Sequence, residues 1–174
     1  MIYYQDETLL IRSMEADDAR RITDAELAQG WHVEVEKQEM RYRHQTEGKS
    51  VALIAEYQGT VAGYINVYHA ALDGPKAFRH LPEIVDFGVF IKFRRLGIGS
   101  RLMDTAEHVA AQKADAVCLG VGLHDGYGSA QRMYVKRGYI PDGSGVWYNG
   151  QVCGQYAPCC NDDDLIMYFS KKLR

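Results

Sequence analysis

Nowhere in these 174 residues does an apolar run approach the ~20 residues of a membrane-spanning helix. Charge of one sign is missing too: 23 Asp and Glu stand against 20 Lys and Arg, a formal net charge of −3. Nucleic-acid-binding domains usually carry a basic excess, so that partner class is not expected. The first ten residues, MIYYQDETLL, lack a basic segment followed by an apolar core, so no secretion signal is read there. Cysteine is scarce, at Cys118, Cys153, Cys159 and Cys160. Four thiols in a chain of this length, without a secretion signal, do not make a disulfide framework. Their spacing matches no zinc pattern, and adjacent cysteines chelate one ion poorly, so no metal is expected. The two familiar phosphate loops are absent. There is no Gly-x-x-x-x-Gly-Lys-Ser/Thr, and Met103 and Asp104 stand where the third glycine of a dinucleotide turn would fall. With no internal repeat or linker, the expectation is one cytoplasmic domain spanning 1–174.

What is present is organised around Pro82 to Arg101, PEIVDFGVFIKFRRLGIGSR. Glu83 to Ile91 is dense in Ile, Val and Phe and predicts a buried strand. Arg94-Arg95-Leu96-Gly97-Ile98-Gly99-Ser100 then leads into LMDTAEHVAAQKA, which predicts a helix to about Lys113. First-turn amides have no helical partner, and the helix dipole favours negative charge beside them. Gly97 and Gly99 would let a phosphate approach the backbone with no Cβ in the way. Taken alone, a Gly-x-Gly turn also serves as a plain connector.

The remaining pattern supplies a frame. Thr8 to Ile11 suits a strand, and Glu15-Ala-Asp-Asp places acids at the start of a helix running toward Leu27 and stopping near Gly30. A second, polar helix is predicted from Val33 to about Gln45. Ser50–Glu56 and Val61–Tyr68 form a hairpin across Tyr57-Gln-Gly-Thr. Ala116 to Leu123 is another strand, reached through a helix from the one before it, so the two should run parallel. Ser129 to Arg137 is a short helix with Ser129 as cap candidate. Tyr139 to Trp147 is interrupted by Pro141, Gly143 and Gly145. Asn149 to Asp164 is a long loop of the kind that is often functional, and Leu165 to Ser170 is the last strand.

Arg94-x-x-Gly97-x-Gly99 after a strand resembles the acetyl-CoA signature of the GNAT superfamily of N-acetyltransferases. Ala130-x-x-x-Tyr134-x-x-x-Gly138-Tyr139 resembles its second signature, and the likeness covers roughly Thr8 to Gly143. The resemblance implies an α/β fold: a twisted mixed sheet of about six to seven strands, about four helices, and two parallel central strands splayed at the cofactor. It implies acetyl-CoA as acetyl donor and a primary amine of a small molecule, peptide or protein as acceptor. Backbone amides from Arg95 through Leu96, Gly97, Ile98, Gly99 and Ser100 would hold the pyrophosphate, with Arg94 and Arg95 adding charge. Val89 would meet the pantetheine arm, with Phe87 nearby. Where members often carry an asparagine, this chain has Tyr127, and Ser129 becomes the substitute contact.

Transfer also needs the ammonium deprotonated and the departing thiolate protonated. Tyr134 matches the family's tyrosine acid. Glu83 stands six residues before Val89, where histone-acetylating members carry a glutamate base. Two-residue alternation would put Glu83, Val85, Phe87 and Val89 on one face. His124, at the end of the neighbouring strand, is the second base candidate, and water the third. Trp31, His32, Tyr42 and His44 fall in the region that the family uses as an acceptor wall. Asp162 to Asp164 would attract a cationic amine, though a solvated turn explains them as well. The competing function is a non-catalytic acyl-CoA-binding sensor or scaffold. A homodimer is compatible with the chain, and no residue specifies one.

Overall fold

The computed structural model describes residues 1–31 and 34–174. In chain order these residues form β1 (Ile2–Gln5), β2 (Leu9–Ser13), α1 (Asp18–Ala28), α2 (Val35–Thr46), β3 (Ser50–Tyr57), β4 (Thr60–Tyr68), β5 (Glu83–Val89), α3 (Ile98–Ala111), β6 (Ala116–Gly122), α4 (Gly128–Lys136), β7 (Ile140–Tyr148), β8 (Gln151–Val152) and β9 (Leu165–Lys172). The mixed α/β class and the four helices agree with expectation, but nine strands exceed the six or seven expected. The extra ones are β1 and β8, at four and two residues too short for a periodic signal. None of the described helices is long and apolar enough to cross a membrane.

The described chain clusters into two compact units, one of Met1–Tyr68 with Val85–Val109, the other of His69–Ile84 with Ala110–Arg174. In the first unit β1, β2, β3 and β4 pair antiparallel in sequence order, with β5 next to β4. The β3–β4 turn has Gln58 at φ 49° and Gly59 at φ 77°, the two positive dihedrals of a tight hairpin turn. One core cluster joins Met14, Ala19 and Ile22 to Ala52, Ile54, Val61, Tyr64 and Phe90, so α1 packs on the Tyr64 face. The opposite face of β4 receives α3, whose Leu102 lies against Gly63. Ile98, Leu102, Met103, Ala106 and Val109 are the buried stripe of that helix. Each of the larger side chains in it contributes about 1.5–3 kcal/mol on full burial, and Ala106 less.

In the second unit β5 contributes Glu83 and Ile84, which run parallel to Cys118 and Leu119 of β6. The parallel pairing ends there, after two of the seven residues of β5. β6 pairs antiparallel with β9, β9 with β7, and β7 with β8. The interrupted strand expected at Tyr139–Trp147 is one strand, Ile140–Tyr148, because β9 supplies a ladder along it. Gly143 (φ 85°) and Gly145 (φ 83°) are absorbed in the bulge between Pro141 and Val146.

Candidate active site

In the first unit the site begins with the turn after β5. Arg94 and Arg95 are exposed, and Arg95 (φ 66°) and Gly97 (φ 79°) are both left-handed. Left-handed residues turn neighbouring amides to one side and create an anion-binding concavity. The helical ladder of α3 starts with the Arg101 N–H donating to the Gly97 carbonyl at 3.1 Å. The amides of Ile98, Gly99 and Ser100 therefore precede it and have no intrahelical acceptor. Leu96 and Ser100 are exposed beside them, and Ile98 is buried.

The two glycines have different reasons to be glycine. Gly97 has open space around it and is required by its positive φ. A Cβ on Gly99 would lie 3.2 Å from Phe87 and 3.5 Å from Val89, so it permits α3 to sit close on β5. Phe87 and Val89 thus share the face toward α3, as the alternation implied. Asp86, at φ 48°, breaks that alternation, and the two-residue period cannot be carried back across it to Glu83. The Arg94 Nε–H donates to the Val89 carbonyl at 3.3 Å, and its guanidinium lies 5.9 Å from the Trp31 ring centre. Trp31 is half-buried against the α1 core, and His32 lies outside the described residues.

The strained Asp86 was missed by sequence reasoning, since nothing local marks a left-handed aspartate in an apolar strand. Its carboxylate pairs with Lys37 at 2.7 Å and Arg41 at 2.5 Å, both from α2. Arg41 also donates to the Tyr68 hydroxyl, which lies 2.6 Å from His44 Nδ1. Burial and the nearby Lys49 lower the His44 pKa, which favours a neutral ring accepting the Tyr68 proton. His44 therefore closes a polar network at α2, and Tyr42 packs on the core.

In the second unit Glu83 is 6% exposed and its Oε2 accepts the Leu72 N–H at 3.0 Å. Burial, with the Glu83 charge second, pushes the Cys118 thiol up to about 12 and the Tyr168 phenol likewise to about 12. Glu83 is thus an enclosed carboxylate that also anchors the 69–81 connection. Tyr134 is buried, tilted against Tyr139 at 5.7 Å, and held by burial well above the usual phenol range. Among the described residues no group hydrogen-bonds its hydroxyl. The phenol therefore keeps its proton and has it free to donate.

His124 sits differently from a free base. Its Nδ1 accepts the Gly126 N–H at 3.0 Å, which leaves the proton on Nε2, 3.1 Å from Asp163 Oδ1. The Tyr127 hydroxyl donates to the same oxygen at 2.9 Å. Asp163 was legible only as part of an acidic run, and its partners emerge from the fold. Tyr127 occupies the N-cap position of α4, so Ser129 is a first-turn residue and not the cap. A groove of about 510 Å³ beside α4 is lined by Val121, Leu123, Gln131, Val135, Met167 and Phe169 among others. Arg132 and Lys136 add two cationic side chains to this mostly apolar lining.

The sequence matches the acetyltransferase (GNAT) family over residues 16–139, and the chain belongs to that family of N-acetyltransferases. Solved structures agree in fold. An acetyltransferase from Salmonella typhimurium that modifies the N-terminal serine of 50S ribosomal subunit protein L7/L12 superposes with a TM-score of 0.71 at 11% identity, covering 99% of each chain. YncA, a putative acetyltransferase from the same organism with its cofactor acetyl-CoA, gives 0.67 at 16% identity, covering 97% of this chain and 95% of its own. Ard1 from Thermoplasma volcanium gives 0.69 at 20% identity, with 95% and 97% covered. No curated protein matches the sequence significantly.

Proposed function

We propose that this acetyltransferase uses acetyl-CoA as donor and moves the acetyl group to a primary amine of a small molecule, peptide or protein. The observation that carries this reading is the Arg94–Ser100 turn. It holds two guanidinium-bearing residues, two left-handed positions and free α3 amides together in a chain of this family. Those amides would hold the pyrophosphate, with charge from Arg94 and Arg95. Val89 and Phe87 border the turn, which suits a role along the pantetheine arm, and Ser129 is a further contact candidate from α4. Acetyl-CoA in the YncA structure supports the donor, and the L7/L12-modifying relative supports an amine acceptor.

The reaction is direct. A neutral amine attacks the thioester carbonyl, the C–S bond breaks, and the thiolate leaves with a proton from Tyr134. The proton lost by the attacking ammonium goes to Glu83 or to water. Glu83 suits the base role because it is an enclosed carboxylate, whereas both ring nitrogens of His124 are engaged. Trp31 and His32 remain acceptor-wall candidates, with His124 as a positioning residue.

Calorimetric titration with acetyl-CoA, followed by a thiol-release assay over small amines, peptide N-termini and lysine peptides, tests the reading. Binding with turnover on one acceptor class is the expected result. Failure to bind acetyl-CoA, or equal competition by ATP, would overturn it.

A further inference from the structure

Within β5 the left-handed residue is Asp86, at φ 48°, and it is also the residue that α2 grips. Aspartate enters that region more readily than most residues and less readily than glycine, so the conformation persists where its surroundings over-determine it. Here the surroundings are two cations four residues apart on α2. Lys37 Nζ lies 2.7 Å from Asp86 Oδ1, and Arg41 donates from both Nε and Nη2 to Oδ2, each at 2.5 Å. The guanidinium is itself fixed. Its Nη1 donates to the Tyr68 hydroxyl at 2.5 Å, and its carbon stands 5.2 Å from the Tyr68 ring centre. The Arg41 and Asp86 side chains are only 11% and 15% exposed, so salt and water screen the pair weakly.

The three residues after Asp86 are packed against the groups assigned above to the donor. Phe87 and Val89 sit so close to Gly99 that a Cβ there would meet them at 3.2 and 3.5 Å. On the strand side, a Cβ at Gly63 would lie 2.5 Å from the Gly88 carbonyl oxygen. The Val89 carbonyl accepts the Arg94 Nε–H at 3.3 Å, which ties the strand end to the basic turn. Pairing of β5 with β6 stops at Ile84, so Asp86 is where the chain turns into this packed stretch. Contacts this tight leave little room for φ of Asp86 to change without moving Phe87, Val89 and the turn.

We propose that Arg41, with Lys37, is a positioning residue for acetyl-CoA: it holds Asp86 left-handed and thereby sets Phe87–Val89 and the Arg94–Ser100 turn in the arrangement that binds the donor. The inference rests on the donor assignment made above. Neither cation has to touch the cofactor. Both act through the backbone of Asp86, and fixing that backbone beforehand lowers the ordering cost of binding.

Calorimetric titration of the full chain and its variants with acetyl-CoA separates this backbone role from a role of charge. Asp86→Ala and Asp86→Gly lose the same two ion pairs, and only glycine enters the left-handed region freely. Asp86→Ala should weaken acetyl-CoA binding about tenfold, while Asp86→Gly should stay within about threefold of the parent. Arg41→Met leaves Asp86 in place and should weaken binding, and Arg41→Met/Asp86→Gly should recover most of the loss. Circular dichroism confirms that each variant is folded; if Asp86→Ala is not, the Arg41→Met comparison decides alone. Equal affinities of the Ala and Gly variants, whether both strong or both weak, would overturn the proposal. So would failure of Asp86→Gly to rescue Arg41→Met. A parent chain that does not bind acetyl-CoA gives a different result, overturning the donor assignment and this inference with it.

Discussion

Tyr134 has a proton to give and, among the described residues, no partner that takes it. Burial holds its phenol above the ordinary range, so the protonated, donating form is the one present at neutral pH. Tyr134→Phe should reduce kcat by about 100-fold or more while acetyl-CoA affinity stays nearly unchanged. Steady-state thiol release and calorimetry on the same preparation check the split, and unchanged turnover would remove the acid role. Glu83 presents a harder case, because its Oε2 both accepts the Leu72 amide and carries the charge that a base needs. Glu83→Gln keeps an acceptor and loses the charge. The variant's rate should fall most at low-to-neutral pH and recover toward the parent as the acceptor amine deprotonates in solution. A constant ratio across the pH–rate profile would assign Glu83 to the 69–81 connection alone.

The elements are held by contacts at which a single atom decides the spacing. A Cβ at Gly63 would sit 2.5 Å from the Gly88 carbonyl oxygen and 3.2 Å from the Val89 Cα. Both are backbone atoms, so the strand itself must move and no side chain can yield instead. Gly63→Ala should cost about 1–3 kcal/mol in chemical denaturation and weaken acetyl-CoA binding, because the displaced strand bears Val89. Gly128→Ala is the control: it meets nothing within 4 Å, has no positive φ, and should leave stability unchanged or slightly raised. At the same scale α2 is tied to β5 through Arg41 and Lys37 on Asp86. Only Gln38 of this polar helix is buried, so charge on one left-handed residue supplements the Tyr42 packing and the Tyr68 and Gln45 hydrogen bonds where a longer apolar stripe would ordinarily serve.

For the whole molecule, pH dependence follows from buried charges. In the first unit Asp18 is 1% exposed and bonded to Arg12 at 2.5 and 2.9 Å, and Arg12 also meets Glu56 at 2.8 Å. Burial works to raise the Asp18 pKa, but the Arg12 bonds and the Glu15 amide outweigh it and the net shift is downward. A carboxyl depressed in the folded state contributes stability that is present above its unfolded pKa and lost as pH falls through the folded value. His44, lowered as well, is neutral in the fold, so acidification below the ordinary histidine range acts in the same direction. Denaturation midpoints should therefore fall steadily from neutral pH into acid. Asp18→Asn should lower stability by about 3–5 kcal/mol at neutral pH, leaving Arg12 without its main partner, and should flatten that slope. An unchanged slope would mean that these groups do not control acid unfolding.

Local pattern by itself determined the frame on which the chemistry rests. The apolar run of β5, the basic glycine turn and the α3 stripe are all nearest-neighbour signals, since backbone propensity and periodicity act within a few residues. The β3–β4 hairpin was legible by its Gln-Gly turn, and Tyr134 of α4 through the resemblance of Ala130-x-x-x-Tyr134-x-x-x-Gly138-Tyr139 to the family's second signature. What only the tertiary structure decided depends on partners far along the chain. β7 persists through Pro141 because β9 offers it a ladder, and β8 exists because two residues can pair with β7. Gly99 is glycine because Phe87 and Val89 press on it, and the left-handed Asp86 answers to Arg41, 45 residues before it. Hydrogen bonds and packing between distant residues outweigh local preference where the two conflict, and sequence distance carries no record of which partners will meet.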